Sequence, residues 1–192
     1  PGGSQIRVNY EWRISAGSIV TGFIDVPGSA TAGGYAFVEL PENAGAHFYT
    51  SGANPAQFYA FSTTDADGGD SDNQAWDWGF TLIPETSLTS QVIIGLGLGK
   101  DPSSAVDQNG NPVWVTPVGN GNTAVTIYVD YDGDNLGPET APNGNKYDID
   151  LSLKELQQAK VYDPDGDQTA MVLYTLDSGV KLAAAWGQDP ET

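Results

Sequence analysis

Residues 5–14 alternate between apolar and polar side chains without a break. The apolar positions are Ile6, Val8, Tyr10, Trp12 and Ile14. Because neighbouring side chains of a strand point to opposite faces, this period of two predicts a β-strand with one buried face and one face in water.

Further strands are predicted at short intervals, with Gly, Pro, Asn and Asp between them. Many short strands separated by turn residues are typical of an antiparallel sandwich or barrel. We favour a sandwich because the apolar run 92–94 suits a central strand. The predicted strands cover residues 18–26, 35–40, 46–50, 57–63, 75–83, 90–98, 112–118, 123–130, 171–176 and 180–186.

One segment departs from the strand pattern. Ser152 and Glu155 have the spacing of a helix capping box, and residues 156–160 follow them. This predicts a short helix of about two to three turns. A loop with a 3₁₀ turn is the alternative.

The charge of the chain restricts its partners. The 192 residues carry a net charge of −18, with 25 acidic and 7 basic side chains. Nucleic acids and anionic membrane surfaces are therefore poor partners. Eighteen of the acidic residues are Asp, and ten of those eighteen fall in three short clusters. Because Asp is a residue of turns and compact metal loops, the clusters suggest bound cations.

The first cluster lies between residues 64 and 80, a stretch without lysine or arginine. The second and third clusters share the form Asp-x-Asp-Gly-Asp. Oxygen ligands on a sharply turning loop suit calcium, whereas a solvated acidic loop is the simpler alternative. The predicted metal ligands are Asp65, Asp67, Asp70 and Asp72; Asp130, Asp132 and Asp134; and Asp163, Asp165 and Asp167.

None of the clusters is an EF-hand. That loop needs Gly at its sixth position and Glu at its twelfth. The residues found there are Asp70 and Trp76, Asn135 and Ala141, and Gln168 and Tyr174. Ligands must therefore also come from elsewhere, and Asp148 and Asp150 are candidates to complete the second site.

The sequence offers little for catalysis. It has no cysteine and one histidine, His47, so thiol chemistry and zinc catalysis lack their ligands. Glu39 and Glu42 are the nearest candidates for a glycosidase pair, but nothing distinguishes them from surface acids. We expect a protein that is not an enzyme, and a polysaccharide-active domain is the second alternative.

Aromatic residues accompany the first acidic loop. Trp76 and Trp78 lie on one face of a predicted strand, where they would either pack in the core or form a stacking platform for a ligand. The predicted ligand-binding residues are Asp70, Asp72, Asn73, Trp76, Trp78 and Tyr59.

Several stretches carry a resemblance to a known group of proteins. They are Trp76-Asp-Trp-Gly-Phe-Thr-Leu-Ile-Pro84, Asn111-Pro-Val-Trp-Val-Thr116, Thr126-Ile-Tyr-Val-Asp-Tyr-Asp-Gly-Asp134, Val161-Tyr-Asp-Pro-Asp-Gly-Asp167 and Ala184-Ala-Trp-Gly-Gln-Asp-Pro190. Together they resemble a β-rich domain of large bacterial surface proteins, many of which are RTX-type adhesins. The ligand- or peptide-binding domain of such adhesins is similar in size, acidity and lack of cysteine.

The resemblance covers residues 75–190 and implies a calcium-loaded domain at a cell surface that binds a partner without turnover. We expect an all-β, antiparallel β-sandwich of about ten strands with long calcium-binding loops and one short helix. It would be a single domain, 1–192, excised from a longer extracellular protein, and monomeric within it. Its cofactor would be several calcium ions, and its partner a peptide or glycan on another cell. A passive calcium-stiffened extender module is the first alternative.

Overall fold

The computed structural model describes residues 4–14, 17–28, 34–41, 44–53, 55–64, 78–95 and 113–186. These residues are all-β, with fourteen strands, one 3₁₀ turn at Glu85–Ser87 and no α-helix. No helix in this part of the chain is long and apolar enough to cross a bilayer. The chain divides into two compact units, Pro1–Ala60 with Leu156–Gln158, and Phe61–Glu155 with Ala159–Thr192. Assignment of residues 1–192 to a single domain stays a prediction.

The first unit contains a three-stranded antiparallel sheet in the order β2-β1-β3. Its strands are β1 (Ile6–Ile14), β2 (Val20–Val26) and β3 (Ala44–Tyr49). The predicted first strand is confirmed, but its two faces are not cleanly divided: Arg13 is 1% exposed and Ile14 is 40% exposed.

Residues 156–158 join this unit at Gly45. The Gly45 N–H donates to the Leu156 carbonyl at 3.2 Å. A Cβ at position 45 would lie 2.6 Å from that oxygen, so this contact requires glycine.

The described residues of the second unit form four antiparallel sheets. The four-stranded sheet has the order β11-β8-β13-β6 and the three-stranded sheet the order β12-β7-β14; β4 pairs with β5, and β9 with β10. The strands are β4 (Phe61–Thr64), β5 (Trp78–Thr81), β6 (Gln91–Ile93), β7 (Val113–Val118), β8 (Val125–Asp130), β9 (Glu139–Thr140), β10 (Lys146–Tyr147), β11 (Ile149–Leu153), β12 (Ala159–Val161), β13 (Val172–Tyr174) and β14 (Lys181–Trp186).

The two larger sheets contribute to one hydrophobic cluster. Alternation within each strand directs one set of side chains into it, as with Ile127 and Val129 of β8, both fully buried. Each fully buried aliphatic side chain of this kind stabilises the fold by about 1.5–3 kcal/mol. The cluster comprises Ile94, Val113, Val115, Ile127, Val129, Val161, Met171, Leu173 and Leu182.

The predicted helix at 152–160 is wrong. Ser152 lies in β11 opposite Thr126, and β12 begins only six residues after β11 ends. Glu155 does not close a capping box, because its carboxylate accepts hydrogen bonds from the N–H groups of Gly119 and Gly121 at 2.8 and 2.9 Å. Ile149, Leu151 and Leu153 pack against the core. Their spacing of two residues is that of a β-strand and not of a helix.

The strand predicted at 35–40 is also absent. Residues 34–41 have no regular structure, and Tyr35 and Phe37 are exposed there. The other predicted strands overlap observed ones with shifted ends, whereas β9, β10, β11 and β12 lie in segments with no predicted strand.

Candidate metal centre

Two acidic loops of the second unit meet at their carboxylates. One loop begins at Asp130, the last residue of β8, and the other begins at Asp163, two residues after β12 ends. Asp132 comes from the first loop, and Asp163 and Asp165 from the second. Each of the three offers a carboxylate oxygen, and these oxygens all lie within 4.8 Å of one another. Residues predicted for two separate sites thus form one group, named here the acidic triad.

The loop 163–167 is shaped by its own side chains. Asp163 Oδ1 accepts from the Asp165 N–H at 3.0 Å, and Asp165 Oδ1 accepts from the Asp167 N–H at 2.8 Å. Gly166 adopts a φ of 84°, a conformation that glycine tolerates best. Asp163 Oδ2 takes part in neither of these hydrogen bonds, so it is available to a ligand.

Gln168 holds Asp163 in place. It is fully buried, and its Oε1 accepts from the Asp163 N–H at 2.9 Å. This role of Gln168 was not predicted from the sequence. The only signal is its position just after the Asp-x-Asp-Gly-Asp motif.

The loop 130–135 is held by backbone donors as well. Asp130 Oδ2 accepts from the Asn135 N–H at 3.0 Å, and Asp148 Oδ2 accepts from the Tyr131 N–H at 2.8 Å. Gly133 has a φ of 63°, and a Cβ there would lie 2.4 Å from the Ala170 carbonyl oxygen. These contacts fix the turn that presents Asp132.

Burial and repulsion disfavour the charged forms of Asp163 and Asp132. The pKa of Asp163 rises to about 6, first because the carboxyl is buried and then because Asp165 and Asp132 are negative. The hydrogen bond from the Asp165 N–H partly opposes this rise. The pKa of Asp132 is also raised, by burial and by the neighbouring carboxylates of Asp134, Asp165, Asp148 and Asp130.

One oxygen of the triad is left without a partner. Asp163 is 5% exposed, and its Oδ2 is buried with no hydrogen-bond partner among the described residues. No lysine or arginine occurs in 130–135 or 163–167 to neutralise it. A buried, unpaired carboxylate oxygen is costly, so a bound cation would remove a real penalty.

The donor set fits a hard cation. Three carboxylates and no histidine or cysteine suit calcium or magnesium and exclude a structural zinc site at the triad. Calcium takes about 6–8 oxygen ligands at flexible angles, so three carboxylates would form part of its shell.

The other predicted ligands that the structure describes, Asp130 among them, lie outside this group. Asp134 and Asp148 raise the pKa of Asp132 and border the triad without belonging to it. Asp167 lies outside the triad, and its pKa is lowered by hydrogen bonds from the side chain of Thr169 and from the Thr169 N–H, which lies 2.9 Å from Asp167 Oδ1. Asp150 is an exposed residue of β11, paired with Tyr128, and also lies outside the triad.

Most of the first predicted site falls outside the described residues. This applies to Asp65, Asp67, Asp70, Asp72, Asn73 and Trp76. The backbone of Trp78 lies in β5 opposite Thr64, and Tyr59 is 99% exposed. The predicted ligand pocket at this loop therefore stays a prediction.

Of the residues considered for catalysis, the structure describes His47 and Glu39. His47 lies in β3, where its Nδ1 is 3.0 Å from Glu11 Oε1 and its ring stacks on Tyr49. Glu39 is exposed in an irregular segment, and Glu42 lies outside the described residues.

Comparisons of the chain with family models, with curated proteins and with solved structures return no match.

Proposed function

We propose that the chain is a calcium-dependent ligand-binding module of a large bacterial surface adhesin. The observation that carries the calcium part is the acidic triad: three carboxylates converge, one of them buried with an unpaired oxygen. The adhesion part rests on the sequence resemblance, which places such modules outside the cell, on the surface of a longer protein.

The proposal includes a β-sandwich in the second unit. It is supported by the single hydrophobic cluster to which the four-stranded and three-stranded sheets both contribute. In such an arrangement the loops after β8 and β12 leave different sheets, and a cation between Asp132 and Asp163 would tie the sheets together. This linkage would make the stability of the module depend on calcium.

The cation also supports recognition. Three carboxylates leave part of the calcium shell for water or for an oxygen of a partner, such as a peptide carboxylate or sugar hydroxyls. The strongly acidic chain would gain from cations that reduce its net charge of −18.

A passive extender module is the second candidate. The observation that favours it is the same linkage of two strand ends, which would stiffen the module without any ligand. The two candidates share the metal and differ only in whether a partner binds.

The metal is tested by calorimetric titration of calcium into the chelator-treated protein. We expect binding that weakens at least tenfold in Asp165→Asn, which keeps the acceptor for the Asp167 N–H and removes one charge. Asp150→Asn is the matched control, since Asp150 is also exposed but lies outside the triad. Equal calcium affinity in both variants and the wild type would refute this site.

Ligand capture separates adhesion from a passive role. A peptide and glycan array is incubated with the module in calcium and in chelator. The adhesion proposal expects capture that chelation abolishes. No capture in calcium would leave the extender function.

A further inference from the structure

A second polar site lies on the outer face of the four-stranded sheet. Val129 and Leu173 point into the core, so alternation places Asp130, Val172 and Tyr174 on the opposite face. The segment 131–147 borders this face, where Tyr147 packs edge-on against Tyr128 at 4.9 Å between ring centroids.

A pocket of about 190 Å³ lies at this place. The sheet contributes Gln91, Asp130, Val172 and Tyr174, and the bordering segment contributes Gly133, Asn135, Asn145 and Lys146. Its volume is below the range of about 300–1,000 Å³ that accommodates drug-sized ligands, so its occupant is the size of one small ring or side chain.

Two buried groups in the pocket lack partners. Asp130 is 6% exposed, and its Oδ1 has no hydrogen-bond partner among the described residues, whereas its Oδ2 accepts from the Asn135 N–H. The hydroxyl of Tyr174, a residue 7% exposed, is likewise buried and unpaired. Its ring is fixed by stacking on Tyr128, with centroids 5.1 Å apart. The lining of one small pocket therefore includes two residues that each have an unpartnered polar atom, an acceptor on Asp130 and a donor–acceptor on Tyr174.

The charged residues that line the pocket favour a neutral ligand. Asp130 disfavours an anion, and Lys146 disfavours a cation. The amides of Gln91 and Asn145 both donate and accept hydrogen bonds, and Val172 supplies an apolar surface. A neutral molecule with several hydroxyl groups and a C–H face satisfies all of these groups at once.

We propose that this pocket binds a single neutral sugar ring, through hydroxyls that donate to Asp130 Oδ1 and exchange a hydrogen bond with Tyr174. This inference rests on the proposed function for its setting, recognition at a cell surface, and it names the ligand class and a site. Its atoms differ from those of the acidic triad, so the two are tested separately.

The test follows backbone amide signals by two-dimensional NMR during titration with glucose, galactose, mannose and fucose, in calcium. We expect saturable shifts at Asn135 and Lys146 with at least one sugar, and a dissociation constant of about 1 mM. Tyr174→Phe removes one hydroxyl and should weaken binding about tenfold. Tyr147→Phe is the matched control: its ring contacts the same Tyr128 but does not line the pocket, so its affinity should be unchanged.

The peptides Gly-Lys-Gly and Gly-Arg-Gly are titrated in the same way, and shifts of the pocket signals with these peptides but with no sugar would overturn the inference. The absence of a saturable shift with any sugar would also overturn it, as would equal sugar affinity in Tyr174→Phe and the wild type. Calcium titration of the same samples distinguishes the two proposals. Calcium binding without sugar binding would refute this pocket alone, and sugar binding without calcium binding would refute the calcium dependence alone.

Discussion

Asp163→Asn should change stability in opposite directions with and without calcium. Asn keeps an oxygen that accepts the Asp165 N–H, but it removes the buried charge next to Asp132. Without metal this removal relieves repulsion and desolvation. With metal it removes a ligand.

The magnitude follows from the pKa of Asp163, which rises from 3.8 to about 6 in the folded protein. A folded pKa above the unfolded one means that the folded state binds more protons between about pH 4 and pH 6. Stability without metal therefore falls as pH rises through this window, and the penalty is complete above it. A rise of the Asp163 pKa from 3.8 to about 6 corresponds to about 3 kcal/mol, so the Asn variant should gain about 1–3 kcal/mol of stability at pH 7.5 in chelator and little at pH 4.

In calcium the stability difference between the variant and the wild type has the opposite sign. At a thousand times its dissociation constant, one bound ion adds about 4.1 kcal/mol to the wild type, which is more than the variant gains in chelator, and the variant loses most of this stabilisation. Urea denaturation at both pH values, with chelator and with calcium, measures all four free energies of unfolding. A variant that is less stable than the wild type in chelator at pH 7.5 would refute the account of a repulsive, metal-free triad.

Three further predictions concern the fold. Gly133→Ala should lose more than about 2 kcal/mol, because its φ of 63° is unfavourable for alanine and the added Cβ meets a carbonyl oxygen. Gly144→Ala, at a φ of 92° with open space around it, should lose less, and thermal melting of the pair checks this. Glu155→Ala should cost about 1–3 kcal/mol through two lost hydrogen bonds, whereas Ser152→Ala should cost little because no helix begins there; urea denaturation that shows a larger cost at Ser152 would contradict the strand assignment. Leu173→Ala in the core should cost about 2–5 kcal/mol by the same measurement, and a cost below about 1 kcal/mol would contradict its packing.

Local patterns predicted much of the fold. The alternating segment 5–14 forms β1, because a period of two is a property of the strand itself. The apolar run 92–94, expected in a central strand, only overlaps β6, and β6 stands at the end of the described strand order β11-β8-β13-β6. The capping-box spacing at Ser152 misled because tertiary contacts overrode it: Glu155 finds its partners in a turn more than thirty residues away. No local signal reports such a partner.

The acidic triad and the pocket at Tyr174 also depend on contacts between residues far apart in the sequence. The sequence predicted acidic loops after strands, but not that Asp132 would meet Asp163 and Asp165, since this depends on how the sheets pack. Tyr174 gave no signal either, because a tyrosine at an alternate strand position looks like any half-buried aromatic residue. Its pocket arises only where the segment 131–147 borders the sheet.

Anomalous diffraction from a calcium-soaked crystal would show whether the acidic triad binds calcium. We expect a calcium peak coordinated by carboxylate oxygens of Asp132, Asp163 and Asp165. Well-defined density for these three side chains with no anomalous peak among them would contradict this expectation.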